Sequence, residues 1–183
     1  EAMSLAVINS RAQLGLQAPL VRVEAHLSNG LPSLSLVGLP ETAVRESKER
    51  VRSAILNSDL QFPQKRITLS LAPADLPKDG GRFDLAIAIA LLAASGQIPA
   101  SSLRGMELLG ELGLTGHIRP VRGILPAALA AKRAGRCLVV PAANAEEAAL
   151  VPDLQLYAIE HLQQLVDHLN ERNPLPVWQS SGL

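Results

Sequence analysis

The motifs of this chain set no nucleophile beside a base. Nucleophilic catalysis needs a Ser, Cys or Lys beside a base. The one cysteine, Cys137, lies in an apolar run, which predicts an inert buried thiol. The loop Pro77-Lys78-Asp79-Gly80, ahead of an apolar helix, is a natural place for a nucleophile. The residues that follow are Gly81, Arg82 and Phe83, with no hydroxyl among them. Phosphate cradling needs a Gly-rich turn followed by Lys and Ser or Thr at a helix start, so that backbone N–H groups and the ammonium meet the anion. Here Lys78 precedes Gly80 and Gly81, and Asp79 and Asp84 would repel phosphate. ATP is therefore not expected to bind this chain. His26, His117, His161 and His168 are scattered. His161 and His168 lie two turns apart on one predicted helix, too far for the i,i+4 pairing of a zinc site. No metal site is expected, and the histidines read as surface residues.

Binding of nucleic acid by stacking needs aromatics on a groove. Phe62, Phe83, Tyr157 and Trp178 are too scattered for that. Contact with phosphates needs only Lys and Arg. The chain has 17 Lys+Arg against 17 Asp+Glu, so a net charge of zero argues against a dedicated nucleic-acid coat. The charges are uneven, however. Between Glu111 and Glu146 there is no acid, and that stretch holds Arg119, Arg122, Lys132, Arg133 and Arg136. Arg45, Lys48 and Arg52 form a second stripe at helical spacing. These eight residues are the candidate DNA-backbone contacts. Solvated, mixed helix faces are the alternative reading.

The elements that must position these groups follow from periodicity. Residues 4–10, 20–27 and 31–37 alternate apolar and polar side chains and predict strands, with Asn29-Gly30 as a turn. Residues 41–57 have helical spacing, with Val44, Val51, Ala54 and Ile55 inward and Glu46 placed to pair with Arg50. Residues 66–71 read as a strand and 72–81 as a loop. Residues 83–94 are apolar all round, which predicts a buried helix. Residues 107–114 and 117–121 flank Thr115-Gly116 and read as a hairpin. A helix at 124–134 capped by Gly135, a strand at 137–140, a helix at 145–150, a strand at 154–159 and a helix at 161–169 complete the series. From Asn173 the composition is that of a linker.

Strands followed by mixed strand and helix units predict an α+β domain with a sizeable core. At 48% hydrophobic residues and no net charge, the chain is not disordered. A lone cysteine fits a reducing cytoplasm. The apolar run at 85–94 is too short to span a bilayer, no charged-then-apolar leader opens the chain, and neither a membrane partner nor a signal peptide is expected.

Two longer motifs add to this. Residues 71–85 read LAPADLPKDGGRFDL and residues 110–121 read GELGLTGHIRPV. With Val37-Gly38-Leu39-Pro40 and Arg50-Val51-Arg52-Ser53-Ala54, they resemble the N-terminal domain of the magnesium-chelatase-like AAA+ ATPases of the ComM/YifB type. The resemblance covers residues 3–170 and leaves 171–183 as a linker toward an AAA+ module. It implies the α+β fold of the Lon proteolytic domain, first described as a ribosomal-protein domain, with a mixed sheet packed with helices. Aligning Pro-Lys-Asp-Gly with the Lon catalytic loop puts Arg82 at the catalytic serine, and the catalytic lysine falls near Leu125. The resemblance thus marks Lys78, Asp79, Arg82, Asp84 and Leu125 as a degenerate Lon-like site from which the dyad is lost. An ion pair of Arg82 with Asp79 or Asp84 is the expected role of that arginine.

The resemblance further implies a ring-shaped, hexameric ATP-driven DNA motor in recombination or natural transformation. ATP and Mg would belong to the full-length protein, with no cofactor in this piece. The partners implied are single-stranded or branched DNA, the AAA+ module and further copies of the chain. A peptide-binding module that kept the old groove, or a residual peptidase, are the alternatives.

Overall fold

A computed structural model describes residues 4–78 and 81–180. Asp79 of the degenerate site lies outside the described residues. Strand β1 (Ser4–Arg11) pairs antiparallel with β2 (Leu20–Ser28), placing Leu5 opposite His26 and Asn9 opposite Arg22. Strand β4 (Arg66–Ala72) runs antiparallel to β2 on its other side, and β3 (Ser33–Val37) lies parallel to β4. The Asn29-Gly30 turn therefore closes no hairpin, because β4 is inserted between β2 and β3.

Beyond β1 the sheet continues in parallel through β5 (Met106–Leu108), β8 (Cys137–Pro141) and β9 (Leu156–Ile159). Its order is β3-β4-β2-β1-β5-β8-β9. This is the expected α+β architecture with a mixed sheet.

Residues 107–114 do not form the single strand that their pattern suggests. They break after β5, because the Gly110 N–H donates to the Arg82 carbonyl at 3.1 Å and the Leu85 N–H donates to the Gly110 carbonyl at 3.0 Å. Only a short ribbon remains beyond the break, in which β6 (Glu111–Leu112) pairs with β7 (Ile118–Arg119).

Helix α1 spans Glu41–Asn57, starts after Pro40, and buries Ser47, Val51, Ala54 and Ile55. Helix α2 (Asp84–Ala94) is buried at every residue, as its uniformly apolar composition requires. It packs on β1 and β2 and against α1. The remaining helices are α3 (Ile124–Arg133), the short α4 (Ala145–Ala148) and α5 (Leu162–Leu169). The predicted 145–150 helix is shortened to α4, and the strand expected from 154 begins at Leu156.

Alternation along the strands shows which faces are covered. In β8, Val139 joins the core of α1, α2 and α5, while Leu138 and Val140 join a second core built on α3 and α4. That end of the sheet is sandwiched. At the β1–β4 end only one face is covered, and Leu5, Val7 and Val37 on the other face are exposed. The tail follows α5 without regular structure but lies against the domain. Leu175 packs on the first core, Trp178 on the second, and the Trp178 N–H donates to the Leu156 carbonyl at 2.7 Å. Among the described residues, no helix is long and apolar enough to cross a membrane.

Candidate functional site

Arg82 sits in a single 3-10 turn, Gly81–Phe83, that leads directly into α2. Its side chain is buried among the ends of other elements. Nε donates to the Arg11 carbonyl at 2.9 Å, and Nη1 donates to the Arg122 carbonyl at 2.8 Å. The guanidinium thus ties the end of β1 to the segment that opens α3. Beside it is a cleft of about 270 Å³ lined by Gln13, Gly81, Arg82, Glu111, Pro120, Val121 and Arg122. No hydroxyl or thiol is among these lining residues. Glu111 presses against Gly81, where an added Cβ would overlap its Oε1, and it pairs with Arg119 at 3.4 Å. Leu125, near the position assigned to the Lon lysine, is a half-buried packing residue of the second core.

Of the two partners expected for Arg82, Asp79 lies outside the described residues and Asp84 is engaged elsewhere. Asp84 is fully buried at the first position of α2, and its carboxylate accepts from Arg50 Nε at 2.6 Å, Ser47 Oγ at 2.7 Å and the Leu112 N–H at 3.1 Å. These bonds join α1, α2 and β6 at one carboxylate. Burial pushes the carboxyl up to about 6, against the opposing pull of Arg50, Ser47 and the Leu112 amide. The Arg50 guanidinium is shifted upward in turn, chiefly by its hydrogen bond to Asp84. Arg50 also meets Glu46 at 4.0 Å, the pair expected from spacing, but Asp84 is the shorter contact. Lys78 is buried, with Nζ donating to the carbonyls of Pro73 and Leu76 at 2.5 and 3.0 Å. Burial lowers its pKa. Lys78 therefore closes its own loop.

The eight candidate DNA contacts fall into separate groups. Arg45 and Arg52 are exposed and Lys48 half-buried on α1, on a surface that also presents Glu41 and Glu49. Arg119 is paired with Glu111, and Arg122 lies exposed at the cleft. Lys132 and Arg133 occupy the last turn of α3, where cations complement the helix dipole. The length of α3, on the order of 15 Å, separates them from Arg122. Arg136 is turned inward: Nη1 donates to the buried Glu107 at 2.8 Å, which Arg11 also grips through Nε at 2.7 Å and Nη2 at 2.8 Å. Sequence reasoning missed this triad because Arg11 and Glu107 are far apart in the chain. Lys65 and Arg66, at the start of β4, are exposed cations outside both candidate groups.

Among the described residues, no group of three or more His, Cys, Asp or Glu side chains could hold a metal ion. His161 caps α5 by accepting from the Gln163 N–H, and His168 accepts from the Leu175 N–H at 2.8 Å. Cys137 is half-buried, and burial raises its thiol pKa.

A protein-family model described as "Subunit ChlI of Mg-chelatase" matches residues 23–144. The chain is 54% identical over 175 residues to the competence protein ComM of Haemophilus influenzae, covering 96% of this chain and 34% of that protein. It is 50% identical over 173 residues to the uncharacterized protein YifB of Escherichia coli, covering 94% of this chain and 34% of that protein. It thus spans about a third of the length of these curated relatives. A more distant likeness, 27% over 168 residues and covering 85% of this chain and 21% of the relative, is to the Lon protease of Brevibacillus choshinensis. That likeness agrees with the mixed sheet described above. The chain belongs to the Mg-chelatase subunit ChlI family, within which it is of the ComM/YifB type.

Proposed function

We propose that this chain is a noncatalytic accessory domain of a magnesium-chelatase-like AAA+ ATPase. The full-length protein acts in recombination or natural transformation as a DNA helicase or branch-migration motor in the cytoplasm. The domain contributes to assembly of a ring of like copies and to contact with DNA backbone. ATP and Mg bind the AAA+ module, outside this chain.

The observation that carries the noncatalytic reading is the seat of Arg82. A guanidinium that donates to two backbone carbonyls stands where the Lon resemblance places the serine. A guanidinium stays protonated and offers only donors, so it cannot attack a carbonyl. The reading of the motor as a DNA machine draws on the relative named a competence protein. A second reading, a peptide-binding module, draws on the cleft left open beside Arg82.

Incubation of the chain with a serine-directed fluorophosphonate and, separately, with an unfolded protein tests the first reading. No adduct and no cleavage are expected. A stoichiometric adduct or steady cleavage would contradict it.

A further inference from the structure

The loop at residues 61–65 joins α1 to β4 and runs between two concavities. The larger, about 710 Å³, is bounded by the loop itself, the start of β1, the end of β2 and the C-terminal end of α2. The smaller, about 120 Å³, is bounded by Arg52, Lys65 and the start of β3. Among the described residues, no carboxylate lines either one. Their polar lining consists of the Arg52 and Lys65 cations with Gln and Ser side chains, including Gln64, Ser28 and Ser33.

What holds these cations distinguishes them from others in the chain. Arg50, Arg119 and Arg136 are compensated by carboxylates. The Arg52 guanidinium instead lies over the Phe62 ring, 5.1 Å from its centroid, and Lys65 Nζ donates to the Asn29 amide oxygen at 3.1 Å. A ring face and an amide orient a cation without neutralising it. Arg66 is exposed at the first residue of β4 and, like Arg52 and Lys65, forms no ion pair among the described residues. Phe62 is almost fully covered, so its ring is not a platform for bases. Concavities lined by two oriented cations, with Arg66 exposed beside Lys65 and no open aromatic, suit a phosphodiester chain read through its phosphates.

We propose that Arg52, Lys65 and Arg66, around the 61–65 loop, form the surface on which this domain holds nucleic-acid backbone. The inference rests on the DNA-contact reading and names its site. The surface lies at the start of β1, while the Arg82 cleft lies at its end. Those ends are on the order of 25 Å apart along an extended strand. The two can therefore be perturbed separately.

Fluorescence anisotropy of a labelled single-stranded oligonucleotide, titrated with the chain over a salt series, tests this. The variants are the triple Arg52→Ala/Lys65→Ala/Arg66→Ala, the single Lys65→Glu, and a charge-matched control triple Arg22→Ala/Arg104→Ala/Arg172→Ala at exposed arginines outside both candidate groups, each checked for folding by circular dichroism. The first triple is expected to weaken binding at least about tenfold at low salt. It should also flatten the log–log salt slope by about 0.7 for each phosphate that is no longer neutralised. Lys65→Glu should act in the same direction, and the control triple should change affinity less than about threefold. Binding by the wild type that the control triple abolishes and the first triple leaves intact would overturn this assignment alone. Absence of any salt-dependent binding by the wild type would overturn the DNA-contact reading with it.

Discussion

The Arg82 guanidinium donates to the Arg122 carbonyl at 2.8 Å and so bolts the start of α2 to the strand-to-helix segment that opens α3. Its second bond reaches the end of β1. One side chain thereby fixes three backbone segments at the position where the resemblance places the Lon serine.

Arg82→Ala removes the bonds to the Arg11 and Arg122 carbonyls, which must then find water. Hydrogen bonds to charged groups contribute about 1.5–3 kcal/mol each. Unfolding free energy is expected to fall by roughly 3 kcal/mol or more in a urea titration. Arg82→Ser, which restores a hydroxyl at that position, should be similarly destabilised and should still not react with a serine-directed probe. A variant as stable as wild type would show that the bolt is dispensable.

Gly38 has φ of 103°, and a Cβ there would overlap the Leu71 carbonyl oxygen. A backbone atom cannot swing aside as a side chain can. Gly38→Ala is expected to cost about 2–4 kcal/mol, combining backbone strain with the clash. Chemical denaturation reads this directly, and a loss under about 0.5 kcal/mol, the size of an ordinary surface substitution, would contradict it.

Glu107 is fully buried between Arg11 and Arg136 and joins β1, β5 and the entry to β8. Removing one member of a buried ionic group leaves charge without its partner. Glu107→Ala is expected to lose about 3–5 kcal/mol. Pairing Glu107→Leu with Arg11→Met should recover much of that loss, because an apolar replacement leaves less charge buried. Equal loss in both variants would show that packing, not charge, sets the effect.

How much of this was legible in the sequence depends on how local each feature is. Helix α1 follows the predicted bounds because the stripe of Val51, Ala54 and Ile55 is written at helical spacing. The burial of α2 follows from a run with no polar side. The break between β5 and β6 was not legible, because the groups that cause it are the Arg82 carbonyl and the Leu85 N–H, both remote from Gly110 in the chain. The same distance hid the partner of Asp84, since Arg50 also has the local option of Glu46. Charge counting grouped Arg136 with Arg133, but Glu107 draws one inward while the other stays exposed.

The tail offers a pH readout. His168 Nδ1 accepts the Leu175 N–H, which requires a ring nitrogen without a proton, and burial holds His168 below its ordinary 6.5. Around the ring lie Tyr157, with ring centroids 5.2 Å apart, and Glu171 in a shared cavity. A histidine with a lowered folded-state pKa adds stability above its unfolded pKa and loses that stability as the pH falls below it. Acidification below about 6.5 is therefore expected to loosen residues 173–180. Trp178 is the one tryptophan, so its emission should shift red over that range. His168→Gln should remove the shift, and an unchanged shift in that variant would assign it elsewhere.

The central claim is that this domain serves a DNA motor mechanically. Its most direct test compares ATP-driven processing of branched DNA by the full-length protein with and without residues 3–170. Loss of at least about tenfold in processing rate on deletion, with no peptidase activity in either form, is the result expected. Processing at an unchanged rate without the domain would contradict the account.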